Sequence, residues 1–536
     1  MATSTAFVVL AALAAPASAA SSKAAATTKA AASNQSQQGQ QGGWGDLAAD
    51  LLSLDPTGAN YPVLDPGSLW TVTSAVGARS VWRQQDATGR AVTGQGVTVA
   101  LLDSGVAAVP GLDGAGKVAQ GPDLSLETNS AALRNRDTFG HGTHLAGIIA
   151  GHDPVSTDAT GAPVAVTSPR SQLGIAPDAQ LLAVKLATTD GSTDVSQVIA
   201  ALDWVVQHKD DNGRHVRVVN LSFGTSSLQS YQRDPLAAAA ENAWRHGLVV
   251  VVSAGNDGAS SVTLTDPAID PYVIAVGSSD PQGSVLGWLS PSVAAFSSRG
   301  STARHADLLA PGRSIVSLRD PGSFVDVNHP EGLVAGDATG RLFRGSGTSQ
   351  AAAVVSGSVA LLLQAYPKLT PDQVKAVLVG TASPVVGAAA VDAGAGEINV
   401  LAALKAAATV PASAQSWPRA TGLGSLELAR GGSHLVDPVT GATLSGEVDV
   451  QSKPWQPSVW APASAAGTTW SGGLWLGARW SGDSWSGANW TSVAWTGARW
   501  SGARWSDASW DGARWSGARW SGAFWDGARW SDDHWY

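Results

Sequence analysis

Short apolar runs alternate with stretches of helical periodicity through the middle of the chain. The runs are continuous rather than alternating, and they are rich in β-branched residues, which is typical of strands buried on both faces. They predict strands at 96–102, 179–186, 216–224, 248–256 and 271–279. The stretches between and after them predict helices at 141–151, 194–209, 234–247, 349–366 and 370–382. This alternation predicts an α/β domain over 95–405, with a parallel sheet that has helices on both faces.

Polar residues follow several of the predicted strands. Asp103 comes after the first strand, Ser222 lies near the end of the third, and Asn256 ends the fourth. Ligands of such sheets bind outside the carboxyl ends of the strands, so these side chains could share a site. Any strand-to-helix loop also puts a polar cap at this place, and position alone leaves both interpretations open.

Residues 344–357 read RGSGTSQAAAVVSG. This stretch places glycines and serines at and just before the start of the alanine-rich helix predicted at 349–366, and within its first turns. Ser349 there is either a helix cap or a nucleophile at the positive end of a helix. A serine nucleophile needs a base, a carboxylate that orients the base, and donors for the oxyanion. The chain offers His141 as the base, Asp103 as the carboxylate, and the Asn256 amide together with the Ser349 backbone N–H as donors.

Four segments in order, VTVALLDSGV, DTFGHGTHLAG, SAGN and GSGTSQAAA, resemble the subtilisin-like serine proteases, or subtilases. The resemblance covers about 95–405 and implies a subtilisin-like α/β fold. It implies peptide-bond hydrolysis through an acyl-enzyme by Asp103, His141 and Ser349, with Asn256 in the oxyanion hole. It also implies that protein or peptide substrates bind in a groove along two segments. The groove residues expected on this basis are Ser222, Phe223, Gly224, Ser253, Ala254 and Gly255.

The chain departs from the family pattern next to the nucleophile. Gln350 stands where the family has Met, and Ala353 stands where it has Pro. Neither change removes a catalytic group. We expect His144 to pack behind the site. Asp137 is expected to be a solvated loop carboxylate, with a calcium or substrate contact as the alternative.

No cofactor is expected for the chemistry. The family often binds structural calcium, but the chain has no loop dense in aspartates like that of an EF-hand, so the metal question stays open. Cysteine is absent, which excludes disulfides, thiolate–zinc sites and a thiol nucleophile. A net charge of −9 argues against nucleic acid as a partner.

The first 19 residues hold an apolar run followed by a small-x-small pattern, which predicts a secretory signal peptide. No Lys or Arg precedes the run, and a disordered alanine-rich end is the alternative. Residues 20–60 are predicted to be a disordered spacer, and 61–94 an N-terminal extension or short pro-segment. No membrane span is predicted, because no later stretch reaches the ~20 apolar residues that one needs. A secreted or cell-surface protein is expected.

Beyond the catalytic domain, 406–454 is predicted to be a linker and 455–536 a tryptophan-repeat tail. Trp recurs at every fifth position from 470 to 535, in units of Ala-Arg-Trp-Ser-Gly. A period of five fits neither a helix nor a simple strand, and it resembles pentapeptide repeats, which form a right-handed β-helix. A flexible tail that binds a cell wall, glycan or other surface, and a segment that is disordered until bound, are the alternatives.

Two main functions therefore remain, and a third, a structural surface protein, would be favoured if the tail bound polymer tightly while the α/β domain cleaved nothing. The sequence favours a secreted serine endopeptidase with a triad of Asp103, His141 and Ser349. The alternative is an inactive or weak subtilase fold that acts as a surface-binding protein through its tryptophan-rich tail.

Overall fold

The structure, a computed structural model, describes residues 65–153, 156–157, 163–164, 172–337, 339–437, 440–479 and 498–499. The predicted signal peptide and spacer (1–60) and most of the tryptophan-repeat tail lie outside the described residues. Within them the predicted subtilisin-like α/β fold is confirmed: a mostly parallel sheet is covered by helices.

The main sheet has eight strands in the order β10-β9-β8-β7-β1-β5-β2, with β11 beside β9 off this path. Its strands are β1 (Thr98–Asp103), β2 (Val118–Asp123), β5 (Gln180–Lys185), β7 (Val216–Leu221), β8 (Val249–Ser253), β9 (Ile274–Asp280), β10 (Ser292–Val293) and β11 (Leu308–Pro311). All pairs except β10 with β9 are parallel. The carboxyl ends of β1, β7 and β8 therefore meet at one edge.

The α-helices are α1 (Leu69–Ala75), α2 (Ala78–Trp82), α3 (His141–Ala150), α4 (Val195–His208), α5 (Pro235–Arg245), α6 (Phe324–Asn328), α7 (Thr348–Ala365), α8 (Pro371–Gly380), α9 (Ala390–Ala393), α10 (Val400–Ala407), α11 (Leu426–Arg430) and α12 (Pro457–Ala466). Helix α3 packs with α7, and α4 packs with α5, as two layers on the sheet. Among the described helices α7 is the one long and apolar enough to cross a membrane, and it is buried in the core.

Shorter elements complete the description. Single 3₁₀ turns occur at Asp211–Gly213, Val285–Leu289 and Pro330–Gly332. The remaining strands are β3 (Ser156–Thr157), β4 (Pro163–Val164), β6 (Ser192–Thr193), β12 (Ile315–Leu318), β13 (Leu342–Gly345), β14 (Trp470–Ser471), β15 (Leu474–Trp475), β16 (Ala478–Arg479) and β17 (Ala498–Arg499). They pair β3 with β4, β12 with β13, β17 with β6, and β14, β15 and β16 in series.

The described part of the N-terminal extension packs into the core of the catalytic domain. Val72 and Val81 on α1 and α2 are fully buried. The indole of Trp82 donates to the Ile175 carbonyl at 3.0 Å. Asp65 forms a buried ion pair with Arg344, in the strand that leads to the predicted nucleophile. The described residues of this extension are therefore an integral part of the catalytic domain's packing.

The described part of the segment predicted as a linker (406–454) is also packed against the catalytic domain. Leu426, Leu435 and Val450 are buried, and the Arg430 guanidinium is fully buried against Asp194 at the start of α4. The Nε–Oδ2 distance of that ion pair is 2.6 Å. Isolated apolar residues and one buried arginine hold the segment down, and neither produces a periodic signal in the sequence.

Residues 470–479 of the tryptophan region form a compact three-stranded unit rather than a β-helix. Strands β14, β15 and β16 pair antiparallel through tight turns, with positive φ at both Gly472 and Gly473. Trp470 lies directly opposite Trp475, so both indoles project from one face of the hairpin. One tryptophan lies in each of the two paired strands, and four residues of the hairpin separate them. The hairpin therefore accounts for the five-residue spacing of the tryptophans.

Candidate active site

Asp103 and His141 are brought together at the carboxyl end of β1. The His141 Nδ1 lies 2.9 Å from Asp103 Oδ1 and 3.0 Å from Oδ2, and both side chains are fully buried. A carboxylate on Nδ1 fixes the orientation of the ring and assigns the Nδ1 proton to that contact. The opposite nitrogen, Nε2, is then the one available for base chemistry.

Two glycines allow helix α3 to begin this close to the β1 turn. Gly140 has φ +102°, in the region where side chains are strained. A Cβ on Gly142 would lie 2.1 Å from the Gly105 carbonyl oxygen. The backbone of α3 therefore approaches the turn after Asp103 more closely than it could if position 142 carried a side chain.

Asp137 is a buried anchor for the start of α3, which corrects the expectation of a solvated loop carboxylate. Its Oδ1 accepts from the Gly140 N–H and the Ser104 hydroxyl, both at 2.7 Å. Its Oδ2 accepts from the Thr143 N–H at 2.7 Å and the Thr143 hydroxyl at 2.6 Å. Ser104 also accepts from the Gly142 N–H at 2.9 Å. The carboxylate thereby ties the histidine helix to the aspartate turn.

Lys185 is a second residue that the sequence did not reveal as part of the site. It ends β5 opposite Asp103, and only 1% of its side chain is exposed. Its Nζ donates to the Ser104 carbonyl at 3.1 Å and to the Arg136 carbonyl at 2.7 Å, and it lies 3.0 Å from Glu127 Oε2. One buried ammonium thus joins the loops that carry Asp103 and His141.

Ser349 lies in the first turn of α7, at the positive end of an 18-residue helix. Its side chain is fully buried, and Oγ makes no hydrogen bond to any group of the described residues. The Ser349 hydroxyl and His141 Nε2 therefore share no hydrogen bond within the described part of the chain. Catalytic hydrogen bonds are often long in free enzymes and shorten when substrate binds.

Asn256 is fixed against the residue before Ser349. Its Oδ1 accepts from the Thr348 N–H at 2.9 Å and from the Thr348 hydroxyl at 3.0 Å. Because Oδ1 is committed to Thr348, the amide presents Nδ2 as its donor on the other side. Gly255, with φ +108°, supplies the sharp turn that brings Asn256 to the start of α7.

The predicted groove residues lie beside the start of α7, but most of their side chains face inward. The hydroxyl of Ser222 donates to the Ser349 carbonyl at 3.4 Å, and Phe223 and Ala254 are fully buried. A Cβ on Gly224 would lie 2.4 Å from the Thr265 hydroxyl, and Ser253 is buried at the end of β8. Contacts with a ligand at these segments would therefore involve the backbone.

His144 packs one turn beyond His141 and is buried. Burial, together with the charge of His141, lowers the pKa of His144 to about 3. Its Nε2 lies 3.2 Å from the Phe343 carbonyl oxygen. The ring is neutral at physiological pH and serves as packing behind the site, as expected.

The described residues contain no group of three or more His, Cys, Asp or Glu side chains placed to hold a metal ion. Gln350, which follows Ser349, is fully buried, and its amide forms no hydrogen bond with the described residues.

The chain is also similar to known proteins of one family. The model of the subtilase family, Peptidase_S8, matches residues 94–417. Serine protease AprX of Bacillus subtilis (strain 168) is 36% identical over 314 residues, which is 58% of this chain and 65% of that protein. Subtilisin DY of Bacillus licheniformis is 31% identical over 54% of this chain and 85% of its own length. Subtilisin BL of Lederbergia lenta is 30% identical over 55% of this chain and 86% of its own length.

Proposed function

Because the chain belongs to the subtilase family, we propose that it is a secreted serine endopeptidase that hydrolyses peptide bonds through an acyl-enzyme. The observation that carries the proposal is the contact of His141 Nδ1 with both oxygens of Asp103, where both groups are fully buried. A buried carboxylate in this position stabilises the imidazolium that forms when the base takes a proton.

In the proposed reaction His141 Nε2 takes the proton of the Ser349 hydroxyl while Oγ attacks the scissile carbonyl carbon. The electron pair of the C=O bond moves to oxygen, and the oxyanion accepts from Asn256 Nδ2 and the Ser349 backbone N–H. His141 then gives its proton to the amide nitrogen as the C–N bond breaks, leaving an ester on Ser349. Water, deprotonated by the same histidine, hydrolyses the ester and restores the enzyme.

The proposed substrates are extended peptides that lie along 222–224 and 253–255. An extended chain can add to the exposed edge of a strand through backbone hydrogen bonds, with little need for side-chain contacts. The inward-facing side chains of Ser222, Phe223 and Ala254 fit that mode of binding. The names of the relatives, a serine protease and two subtilisins, support the same substrate class.

The alternative of an inactive fold that binds surfaces through its tail receives less support. Trp455, Trp460, Trp470 and Trp475, the first four tryptophans of that region, are each at most 7% exposed. Indoles buried in the protein core cannot stack on an external polymer. Any surface-binding role would fall to repeats outside the described residues.

The proposal is tested by hydrolysis of casein and of a peptide anilide by the purified protein. Ser349→Ala is expected to abolish hydrolysis. Ser358→Ala, in the same helix, removes a hydroxyl that donates only to the Val354 carbonyl and serves as the matched control. Equal hydrolysis by Ser349→Ala and wild type, or no hydrolysis by folded wild type, would contradict the proposal.

A further inference from the structure

The chain segment after the predicted groove is held by residues that follow the family domain. We call residues 225–229 the groove loop, since they continue directly from Ser222, Phe223 and Gly224. The hydroxyl of Thr225 donates to the Ala429 carbonyl at 2.6 Å, and the Leu228 N–H donates to the Leu428 carbonyl at 2.9 Å. The family match ends at residue 417, so these acceptors lie outside it.

Further contacts on the same loop are close and specific. Gln229 Nε2 donates to the Ser425 carbonyl at 2.7 Å, and the Ser425 N–H donates back to Gln229 Oε1 at 3.1 Å. Gly431 has φ +60°, and a Cβ there would lie 2.1 Å from the Ser226 carbonyl oxygen. The groove loop and the 425–431 segment therefore fit together with no room for a side chain at Gly431.

The segment that contacts the groove loop is itself fixed to α4. Arg430 forms the fully buried ion pair with Asp194, whose Oδ1 accepts from the Ser196 N–H at 2.9 Å. Further along, the Val450 N–H donates to the Ser196 hydroxyl at 3.0 Å. Both contacts lie at the first turn of α4.

The tryptophan region completes the attachment. The indole N–H groups of Trp460 and Trp475 both donate to Asp203 Oδ2 at 2.9 Å, and the Ser464 hydroxyl donates to Oδ1 at 2.6 Å. The Trp470 indole donates to the Ala200 carbonyl at 2.9 Å. These contacts are buried in the middle of α4, so the first tryptophan units anchor the segment instead of extending from it.

We propose that residues 420–437 and 440–479 form a brace that holds the groove loop in its substrate-binding position and so sets the affinity for extended peptides. The tryptophans of the brace bind α4 through their indole N–H groups. Its 425–431 segment contacts the groove loop through hydrogen bonds. The inference rests on the proposed function, because it takes 222–224 as the edge that a peptide substrate would join.

The test compares Gly431→Ala with Gly432→Ala in the full chain. The first substitution drives a Cβ into the Ser226 carbonyl at a backbone angle that side chains rarely adopt, whereas a Cβ on Gly432 meets nothing within 4 Å. Two quantities are measured for each variant. One is the rate of labelling by a small fluorophosphonate, which needs only an activated serine. The other is KM for a peptide long enough to span the groove.

Gly431→Ala is expected to raise KM at least about fivefold, the factor that corresponds to one lost hydrogen bond, without changing the labelling rate. Gly432→Ala is expected to change neither. Unchanged KM in folded Gly431→Ala, or a labelling rate that falls as KM rises, would overturn the brace. Absence of labelling in the wild type would instead overturn the proposed function.

Thr225→Val keeps the test decisive if Gly431→Ala does not fold. This near-isosteric change removes only the hydroxyl that donates to the Ala429 carbonyl. It is expected to raise KM in the same direction, again with an unchanged labelling rate. Equal KM values for folded Thr225→Val and wild type would also reject the proposal.

Discussion

The buried carboxylate beneath the tryptophans should make the stability of the protein fall as pH rises through the acid range. Burial raises the pKa of Asp203 from 3.8 to about 6 and outweighs the opposing hydrogen bonds from Ser464, Trp475 and Trp460. The unfolded chain therefore loses this proton before the folded protein does. Stability declines by about 3 kcal/mol in total, mainly between about pH 4 and pH 7, and is constant above that range.

Asp203→Asn removes the titrating carboxyl group. The informative quantity is the difference in free energy of unfolding between the parent and this variant at each pH. Urea unfolding is measured between pH 4 and pH 7 in a Ser349→Ala background, which prevents self-digestion. The free energy of unfolding of the parent, relative to the variant, is expected to decrease by about 3 kcal/mol over that range. Asp211→Asn, which removes an exposed carboxylate just after the same helix, is the control for net charge. A difference that is constant with pH, or that grows with pH, would refute the reasoning.

Three further predictions concern the site. Lys185→Met leaves Glu127 buried without its ammonium partner, and it should lower the free energy of unfolding by about 3–5 kcal/mol in urea titrations; a loss under ~1 kcal/mol would contradict the role given to Lys185. Asn256→Ala should lower kcat about 10²–10³-fold with little change in KM, as measured on a peptide anilide, and an unchanged kcat would remove the residue from the oxyanion hole. His144 has a folded-state pKa of about 3 against an ordinary 6.5, so the unfolded state gains the proton first as pH falls. Relative to His144→Phe, the parent should therefore lose stability below pH 6.5, by up to about 5 kcal/mol near pH 3 in urea unfolding, and a difference independent of pH would contradict the assignment of a neutral buried ring.

The α/β framework was predictable because buried parallel strands and amphipathic helices leave periodic signals. Strands β7 and β8 lie within the ranges that the apolar runs predicted, β1 ends one residue beyond its range, and α3 and α7 begin within one residue of the predicted starts. Asp103 and His141 were also found from sequence, because a polar residue at a strand end and a histidine at a helix start lie next to recognisable motifs. Helix α3 packs against β1 and so brings the two side chains into contact.

The supporting residues could not be predicted in the same way. Asp137 reads as an ordinary loop aspartate, and Lys185 as one lysine at the end of a strand, because their roles depend on the groups that the fold brings around them. The 406–454 segment reads as a linker because it is held by single contacts such as the buried Arg430–Asp194 pair. Asp194 lies more than two hundred residues before Arg430 in the chain, and no local sequence pattern connects the two residues.

The period of five in the tryptophan region was visible, but its structural basis was not. A β-helix and a hairpin with paired tryptophans both repeat the same residue at regular spacing. The described residues differ from a β-helix because Trp470 and Trp475 face each other across a turn of two glycines. Asp203, the acceptor for the indoles, lies in a helix that reads as an ordinary amphipathic one.

Location of the covalent adduct formed with a fluorophosphonate tests the central claim most directly. The purified protein is reacted, digested and analysed by peptide mass spectrometry, with His141→Ala treated in parallel. The account predicts one stoichiometric adduct on Ser349 in the parent, and labelling slowed by several orders of magnitude when the histidine is absent. An adduct on another residue, or equal labelling without His141, would contradict a nucleophile at Ser349 activated by the Asp103–His141 pair.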